Sequence, residues 1–468
     1  MQYTRIQIAL IFSLLFTHHV KAADTDRPNV VIIVSDDHGF GDIGWNNKEV
    51  KTPNLDRLAA EGCRLDRFYS NPICSVTRAA LMSGISTIKT GVNNRQGLDL
   101  KYRILPLIFK ESGYQTWMFG KWHLGGSEDN AFNTPEYLPH NRGFDYFYGF
   151  LHGAIDYYSH ERKDLGKLDW QRNGKPVVEE GFTTDLLADD ASKMVVNRDK
   201  TKPFLLYLPF NGVHGPLQPP PSEKNIDRRN RRSVLLANLT HLDSAVGRLM
   251  KTLETEGLQK NTLVLFFGDN GGQLANGASN GPLRGEKGGT FEGGIREPAL
   301  IYWPGVIKPG QKSQQVMAVM DVLPTLCAAA DIKTGIKTPI DGQNLWPSLT
   351  SGKIQEHVPF VIGNRDTALF SANWKLVSPG AGEPSLLFDI TTDPNETNDL
   401  AAKNPEVIAK LTRELAALGG SKNGKGDGGG GGPATKKNAK RPPMGQGKPP
   451  QKKGGGNNPA NKKQPKNQ

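Results

Sequence analysis

The stretch NVVIIVSDDHG, residues 29–39, decides the fold. Its first part, Asn29–Ser35, is an almost unbroken run of apolar and β-branched residues, as expected of a strand that is buried on both faces. A second stretch, TLVLFFGDNGG at residues 262–272, has the same form, with an apolar run, two oxygen-bearing side chains and then glycine. Both predict strands of a mainly parallel sheet, with polar side chains where each strand ends.

Further apolar runs and two amphipathic stretches complete this pattern. The predicted strands are Gln115–Gly120, Pro203–Pro209 and Ala299–Trp303, and the predicted helices are Pro53–Glu61, with Thr52 as its cap, and Arg231–Glu256. The alternation predicts an α/β fold with helices on both faces of the sheet, for which we set bounds of 23–357. Shorter runs over 358–418 predict a small antiparallel sheet and a last helix.

The N-terminal segment 1–22 has a different composition. Arg5 precedes a short apolar run over 6–16, and small residues follow at Val20 and Ala22. This is typical of a cleaved secretion signal, and the run is too short to cross about 30 Å of hydrocarbon. We therefore expect an exported protein, periplasmic or extracellular, with no membrane span.

The C-terminal segment 419–468 carries all of the net charge. It has 12 Lys or Arg and one Asp, which equals the +11 of the whole 468-residue chain, so residues 1–418 are balanced. Its Gly, Lys, Pro and Asn content predicts disorder. Two interpretations remain open, a passive solubilising tail and a tether for polyanions. No specific nucleic-acid partner is expected.

Oxygen ligands follow two of the predicted strands. Asp36 and Asp37 follow the first, and Asp269 and Asn270 follow the fourth along the chain. A turn or a helix cap explains one such pair, but two pairs at strand ends favour a shared site. Three carboxylates and an amide suit Ca²⁺ or Mg²⁺ better than Zn²⁺.

Basic side chains follow the second and third predicted strands along the chain. His123 lies in GKWHLG and His214 in HGPLQPP, while Lys121 and Lys287 add fixed positive charge. A single histidine at a strand end is more often structural than catalytic. Two histidines and two lysines beside a divalent cation indicate a site for a multiply oxygenated anion.

The three cysteines are too few for a disulfide framework. Cys63 and Cys327 have apolar neighbours and are predicted to be core residues, whereas Cys74 has polar neighbours. Cys74 opens CSVTRAALMSG, which resembles the signature of the sulfatase family, where Cys or Ser is followed at fixed offsets by Arg, Leu and Gly. Arg78 is the arginine of that pattern.

Other segments resemble the same family, in the same order, over about residues 27–418. They are SDDHGFGDIG, TPNLDRLAAEG, GKWHLG, RGFDYFYGF, HGPL, GDNGG, LRGEKGGTFEGGIREP, DVLPTL and LFDITTDPNETNDLA. The resemblance implies an alkaline-phosphatase-like fold and a sulfuric ester hydrolase. It also implies that a formylglycine-generating maturation enzyme oxidises Cys74 to formylglycine (3-oxoalanine).

The resemblance also implies roles for ten residues. One Ca²⁺ ion would be held by Asp36, Asp37, Asp269, Asn270 and modified Cys74. Arg78 would fix the formylglycine, His123 would pair with its hydroxyl, and Lys121, His214 and Lys287 would hold sulfate oxygens.

In the implied mechanism the aldehyde hydrates to a gem-diol, and one hydroxyl attacks sulfur. His214 or Lys287 would protonate the leaving alcohol, and His123 would take the second hydroxyl's proton as sulfate departs. A plain Ser or Cys has no second hydroxyl and could not perform this last step.

Two positions depart from the family pattern. Val76 stands where the maturation machinery reads Pro or Ala. The segment GFLHGAIDYYSHE is similar to arylsulfatase B-like N-acetylgalactosamine-4-sulfatases, but Ala154 replaces their Ser, and His152 could supply the missing contact.

We expect a sulfated sugar or polysaccharide substrate, or an aryl sulfate. A phosphomonoester or phosphonate hydrolase and a non-enzymatic glycan-binding protein are the alternatives.

Overall fold

The computed structural model describes residues 27–420, apart from 94–96, 126–133, 163–165, 338, 364–365 and 380–382. The predicted secretion signal and the predicted disordered tail beyond Gly420 lie outside the described residues. All the described residues belong to one of the two units into which the chain divides, Met1–Gly424.

The described strands form one large sheet and three smaller ones. They are β1 (Asn29–Ser35), β2 (Cys63–Leu65), β3 (Phe68–Tyr69), β4 (Gln115–Lys121), β5 (Tyr146–Phe150), β6 (Glu161–Arg162), β7 (Lys167–Leu168), β8 (Gln171–Arg172), β9 (Lys175–Pro176), β10 (Phe204–Pro209), β11 (Thr262–Gly268), β12 (Arg296–Glu297), β13 (Ala299–Tyr302), β14 (Gln311–Ser313), β15 (Met317–Ala318), β16 (Phe360–Gly363), β17 (Thr367–Ser371), β18 (Trp374–Ser378) and β19 (Leu386–Asp389).

The α-helices lie between these strands. They are α1 (Pro53–Glu61), α2 (Cys74–Ser83), α3 (Thr87–Thr90), α4 (Leu105–Glu111), α5 (Thr183–Val196), α6 (Arg231–Thr255), α7 (Glu292–Ile295), α8 (Val322–Ala329), α9 (Trp346–Ser351) and α10 (Pro405–Ala417).

The large sheet has the order β14-β2-β13-β11-β1-β10-β4-β5-β8-β9. Its five central strands, β11-β1-β10-β4-β5, are parallel, so their carboxyl ends share one edge. This confirms the predicted mainly parallel sheet. The predicted strand at Ala299 forms β13 but runs antiparallel to β11. No long crossover helix lies between β11 and β13 in the described residues, since α7 has only four residues, and the chain returns antiparallel.

Both faces of the sheet are buried, as the apolar strand sequences predict. In β1, Val30, Ile32 and Val34 pack into one core, and Val31 and Ile33 pack into the other. The first core contains side chains of α2, α4 and α8, and the second contains side chains of α1, α5 and α6. The side of the sheet that faces α2 is called the α2 face below.

Thr52 precedes α1 as predicted, but its side chain does not cap the helix. Its hydroxyl donates to Asp56 Oδ1 (3.1 Å) and accepts from the Gly44 amide (2.8 Å). The carboxylate of Asp243 in α6 instead accepts from the Leu55 amide (2.8 Å) and the Asn54 amide (3.1 Å). A tertiary contact therefore satisfies the amides that a local cap would otherwise satisfy.

The small antiparallel sheet β16-β17-β18-β19 confirms the prediction for the C-terminal region. Phe360 and Phe370 on one of its faces pack into the core on the α2 face. Leu376 and Leu387 on the other face pack against α10. No helix in the described part of the chain is long and apolar enough to cross a membrane.

A buried histidine links the start of the small sheet to α8. His357 Nε2 lies 2.7 Å from Asp321 Oδ2, and Nδ1 lies 2.6 Å from the Val358 carbonyl. Burial lowers the pKa of His357, but its hydrogen bond to Asp321 and the charge of that carboxylate outweigh burial, so the pKa is raised. Asp321 also accepts from the amides of Ala318 and Gln343.

A histidine with a raised pKa stabilises the fold below its ordinary pKa, and this contribution is lost as pH rises through the raised value. We therefore expect H357Q to lower Tm more at about pH 6 than at about pH 9. Thermal melts at both pH values test this. The pKa of His140 is lowered by burial, so the control H140Q should show the opposite trend. An H357Q deficit that does not change with pH would contradict the account.

Candidate active site

All ten predicted site residues lie in one cluster at the carboxyl ends of the central strands. Asp36 and Asp37 follow β1, and Asp269 and Asn270 follow β11; each is at most 2% exposed. Asp37 (φ 58°) and His123 (φ 56°) adopt left-handed backbone conformations. This conformation is uncommon outside glycine and is often found at functional sites.

Cys74 is the first residue of α2, whose ten residues are all buried. Its Sγ lies 3.2 Å from His123 Nδ1. Arg78, one turn along, donates from one guanidinium nitrogen to Asp269 Oδ2 (2.6 Å) and from another to the Lys121 carbonyl (2.9 Å). The helix therefore delivers a sulfur atom and a guanidinium to the same edge of the sheet.

The other cations pair with the first two carboxylates. Lys121 Nζ lies 2.6 Å from Asp36 Oδ2, and Lys287 Nζ lies 2.6 Å from Asp37 Oδ1. His214 Nε2 approaches Asp37 Oδ2 at 3.7 Å. Three carboxylates thus face three fixed cations.

These pairs shift the pKa values of Asp36, Asp269 and Lys287. Burial raises the pKa of Asp36, but the charges of Lys121, His214 and Arg78 outweigh it and leave the pKa below its ordinary value. Burial and the charge of Asp36 raise the pKa of Asp269 against the opposing charge of Arg78. Burial lowers the pKa of Lys287, but Asp37 outweighs it, so the ammonium stays charged.

The histidines and the cysteine are neutral at neutral pH. Burial, with the charges of Lys121 and Arg78, holds the pKa of His123 well below its usual range. Burial also lowers the pKa of His214, although Asp36 and Asp37 oppose it. Burial raises the pKa of the Cys74 thiol, so the unmodified residue is a poor nucleophile.

The oxygen atoms of the cluster suit a hard cation. Asp36 Oδ1, Asp37 Oδ2 and Asn270 Oδ1 are buried and have no hydrogen-bond partner among the described residues. Ligand atoms of Asp36, Cys74 and Asp269 lie within 4.8 Å of one another. Unpaired buried oxygens from two carboxylates and an amide, next to the carboxylate of Asp269, are the donors that Ca²⁺ or Mg²⁺ accepts. The residues therefore fit the implied metal.

Residues 28–332 match the family profile described as Sulfatase. This chain belongs to the sulfatase family. Mouse arylsulfatase J is 32% identical over 461 residues, covering 84% of this chain and 76% of that protein. Mouse N-acetylgalactosamine-6-sulfatase is 32% identical over 385 residues, covering 76% and 72%. The solved structure of Ps i-CgsB in complex with k-i-k-neocarrahexaose has a TM-score of 0.76 and 30% identity, covering 85% of this chain and 94% of that one.

The family consists of sulfuric ester hydrolases that act on sulfate esters of sugars or aryl groups. This sulfatase has the alkaline-phosphatase-like fold of its relatives, as the resemblance predicted.

Sequence reasoning missed the residues that hold the segment 287–294, which carries Lys287, in place. Lys375 of β18 is fully buried, and its Nζ lies 2.9 Å from Glu292 Oε1 and 2.7 Å from Glu396 Oε1. Glu396 Oε2 accepts from the Glu292 amide at 2.7 Å. Buried acidic side chains almost always need a cation, so burial of Glu292 is a signal that a basic partner exists. The partner could not be identified from the sequence, because the spacing between Glu292 and Lys375 has no local signature.

The same segment is bonded to both metal-ligand and cysteine regions. The Gly271 amide donates to Gly294 (3.0 Å), and the Gly288 amide donates to Pro72, two residues before Cys74 (2.8 Å). The small sheet thus fixes the segment that presents Lys287 to Asp37.

We expect K375M to destabilise the sulfatase by about 3–5 kcal/mol, because it takes the lysine away from two buried carboxylates, of which Glu292 keeps the more distant Arg296 (3.4 Å). Turnover should fall as well, because Lys287 loses its anchoring segment. Calorimetry and kinetics measure the two effects. The triple variant E292Q/K375M/E396Q, which removes all three charges, should recover much of both losses. K353M, on an exposed lysine, is the control. If K375M behaves like K353M, the ion pairs of Lys375 with Glu292 and Glu396 have no role in stability or turnover.

Proposed function

We propose that this sulfatase removes sulfate from a sulfated carbohydrate, with a formylglycine made from Cys74 as nucleophile and one calcium ion. The convergence of Cys74, unpaired metal-ligand oxygens and three cations in one buried cluster is the observation that carries this proposal. The protein is proposed to act outside the cytoplasm after removal of residues 1–22.

The calcium ion would be held by Asp36, Asp37, Asp269, Asn270 and the modified side chain at position 74. When bound, it supplies positive charge that polarises oxygen atoms of the nucleophile and the sulfate. The chain itself supplies the other charges. Lys121 and Lys287 hold sulfate oxygens, and Arg78 orients position 74 from one turn along α2.

Modification of Cys74 supplies a hydrated aldehyde, with one hydroxyl to attack sulfur and a second whose proton can later be removed. His123 is placed to accept that second proton, because its Nδ1 already lies 3.2 Å from the side chain at position 74 and its lowered pKa keeps it neutral. His214 and Lys287 both border Asp37 and are the two candidates to protonate the leaving alcohol oxygen. Lys287 already carries its proton, because its ammonium stays charged, whereas the neutral His214 would first have to gain one.

The maturation enzyme would have to accept Val76, which is fully buried inside α2 in the folded protein. Because a folded helix hides this residue, modification is proposed to precede folding. The basic segment 419–468 is proposed to bind the anionic polysaccharide and raise its local concentration.

A carbohydrate substrate is supported by the relatives. One is named for N-acetylgalactosamine, and another was crystallised with a neocarrahexaose. A predicted secretion signal and a basic tail fit a large anionic glycan better than a small aryl sulfate.

We expect the purified enzyme to hydrolyse p-nitrophenyl sulfate and sulfated oligosaccharides at least about 100-fold more efficiently than p-nitrophenyl phosphate, measured as kcat/KM. C74A should lose this sulfatase activity, because it removes the nucleophile. It should keep a wild-type Tm, because the other buried residues of α2 keep their packing. A preference for the phosphate ester would overturn the proposal.

We expect calcium to raise Tm as well as activity, because an ion that binds only the folded state stabilises it, by about 2.7 kcal/mol at 100-fold excess over Kd. Chelator-treated protein, titrated with Ca²⁺ in thermal melts, measures this. D269A should abolish the Tm response. K287A, which keeps every proposed ligand, should retain it. A response unaffected by D269A would place the ion elsewhere.

A further inference from the structure

Asn211 is a buried side chain near the active site that has no role in the proposed function above. It lies two residues beyond the end of β10 and is 2% exposed. Its side-chain Nδ2 and Oδ1 are both buried and have no hydrogen-bond partner among the described residues. A buried polar group left unpaired is costly, so an amide with two such atoms calls for a ligand or a function.

The residues on either side of Asn211 determine which way its side chain faces. Phe210 packs into the core that contains α5 and α6. A Cβ built on Gly212 would point to the same side, where it would meet Leu242 Cδ1 at 3.3 Å and Thr184 Oγ1 at 3.9 Å. Since alternate residues of an extended segment face opposite ways, Asn211 faces the other side, the α2 face. Cys74 and Arg78 enter the site from that face.

The backbone of Asn211 is fixed between two catalytic segments. β10 lies between β1 and β4. β1 ends at Ser35, directly before Asp36, and β4 ends at Lys121. The Asp36 amide donates to the Gly212 carbonyl (2.8 Å). The Asn211 carbonyl accepts from the Tyr157 hydroxyl (3.0 Å) and the His214 amide (2.8 Å). Backbone hydrogen bonds at Asn211 and Gly212 therefore fix the position of the Asn211 side chain.

Other unpaired polar atoms belong to residues of the same region. Arg78 Nε, the Tyr207 hydroxyl and Asp36 Oδ1 are buried and lack hydrogen-bond partners among the described residues. Tyr207 precedes Asn211 on the α2 face of β10, and it lies close enough to Arg78 for that charge to act on its phenol, whose pKa burial raises to about 12. Arg78 and Tyr207 therefore act on each other, and Asp36 Oδ1 is one of the proposed metal-ligand oxygens. Of these four residues, Asn211 is the one whose unpaired atoms have no assigned partner in the described part of the chain.

Sulfate is the group that best suits a neutral amide at this place. The cluster already offers three carboxylates for a cation, so a further ligand oxygen is not required, whereas an N–H donor aimed at an anion adds directional binding. On the basis of the proposed sulfatase function, we infer that Asn211 contacts the substrate, with its Nδ2 amide donating a hydrogen bond to an oxygen of the sulfate group.

Two substitutions separate this role from a structural one. N211A removes the donor, and we expect kcat/KM for a sulfate ester to fall by about 100-fold, the usual cost of one lost oxyanion donor. N211D keeps the shape but replaces the donor by an anionic acceptor, so it should be more damaging than N211A. Because a buried carboxylate without a cation also destabilises the fold, the Tm of both variants is measured beside kcat/KM. A purely structural role predicts that kcat/KM falls only together with Tm, whereas the sulfate contact predicts that N211A loses kcat/KM and keeps a Tm close to that of the wild type.

Competitive inhibition by inorganic sulfate gives a second readout, because its inhibition constant reports how tightly the variant binds the sulfate group itself. Its inhibition constant should rise at least about tenfold in N211A and further in N211D. The matched control is N238A, on a buried asparagine of α6 whose amide donates to the carbonyls of Gln218 (2.9 Å) and Val234 (2.8 Å). N238A should lower Tm and leave the inhibition constant unchanged.

The outcomes are distinguishable. A wild-type enzyme that does not cleave sulfate esters refutes the proposed function itself. An active wild-type enzyme whose kcat/KM and sulfate inhibition are unchanged in N211A overturns the role of Asn211 alone, and so does an N211D variant that is milder than N211A with unchanged sulfate inhibition.

Discussion

The active site depends on one electrostatic constraint, the burial of three carboxylates within a few ångströms of one another. Asp36, Asp37 and Asp269 are at most 2% exposed, and each unpaired charge would cost several kcal/mol to bury. Each carboxylate is paired with one cation, which is Lys121, Lys287 or Arg78. The six charges cancel, so a bound Ca²⁺ ion would leave a net positive charge that favours an anionic ester.

Because the three cations come from different parts of the chain, the active site depends on several elements of the fold. Arg78 comes from a helix that packs on one face of the sheet, Lys121 from the end of β4, and Lys287 from the long segment between β11 and β13. That segment is held by Lys375 in the small sheet and bonded to residues beside Asn270 and Cys74. The small sheet therefore contributes to the active site although none of its side chains is proposed to touch the substrate.

The sequence predicts the part of this arrangement that local patterns determine. Apolar runs followed by Asp36 and Asp269 identify strand ends, and parallel strands bring those ends together. His123 and His214 follow from the same logic. The family resemblance added the proposed role of Cys74, because the residues around it show only that its neighbourhood is polar.

The remaining features depend on contacts between distant residues. Asp243, and not Thr52, satisfies the first amides of α1 from 188 residues away along the chain. The direction of β13 follows from the path of a long loop. Asn211 lies in an Asn-Gly pair, which by itself is typical of a turn, and only the packing of Phe210 and Gly212 reveals that its amide is buried and faces the α2 side.

The central claim is that Cys74 becomes the nucleophile by oxidation. Peptide mass spectrometry across residue 74, on protein purified from its native host, tests it most directly. The account predicts a peptide lighter than the cysteine form by the exchange of sulfur for oxygen and the loss of two hydrogens, with its abundance matching the active fraction. Fully active enzyme in which every copy retains the unmodified thiol would contradict it.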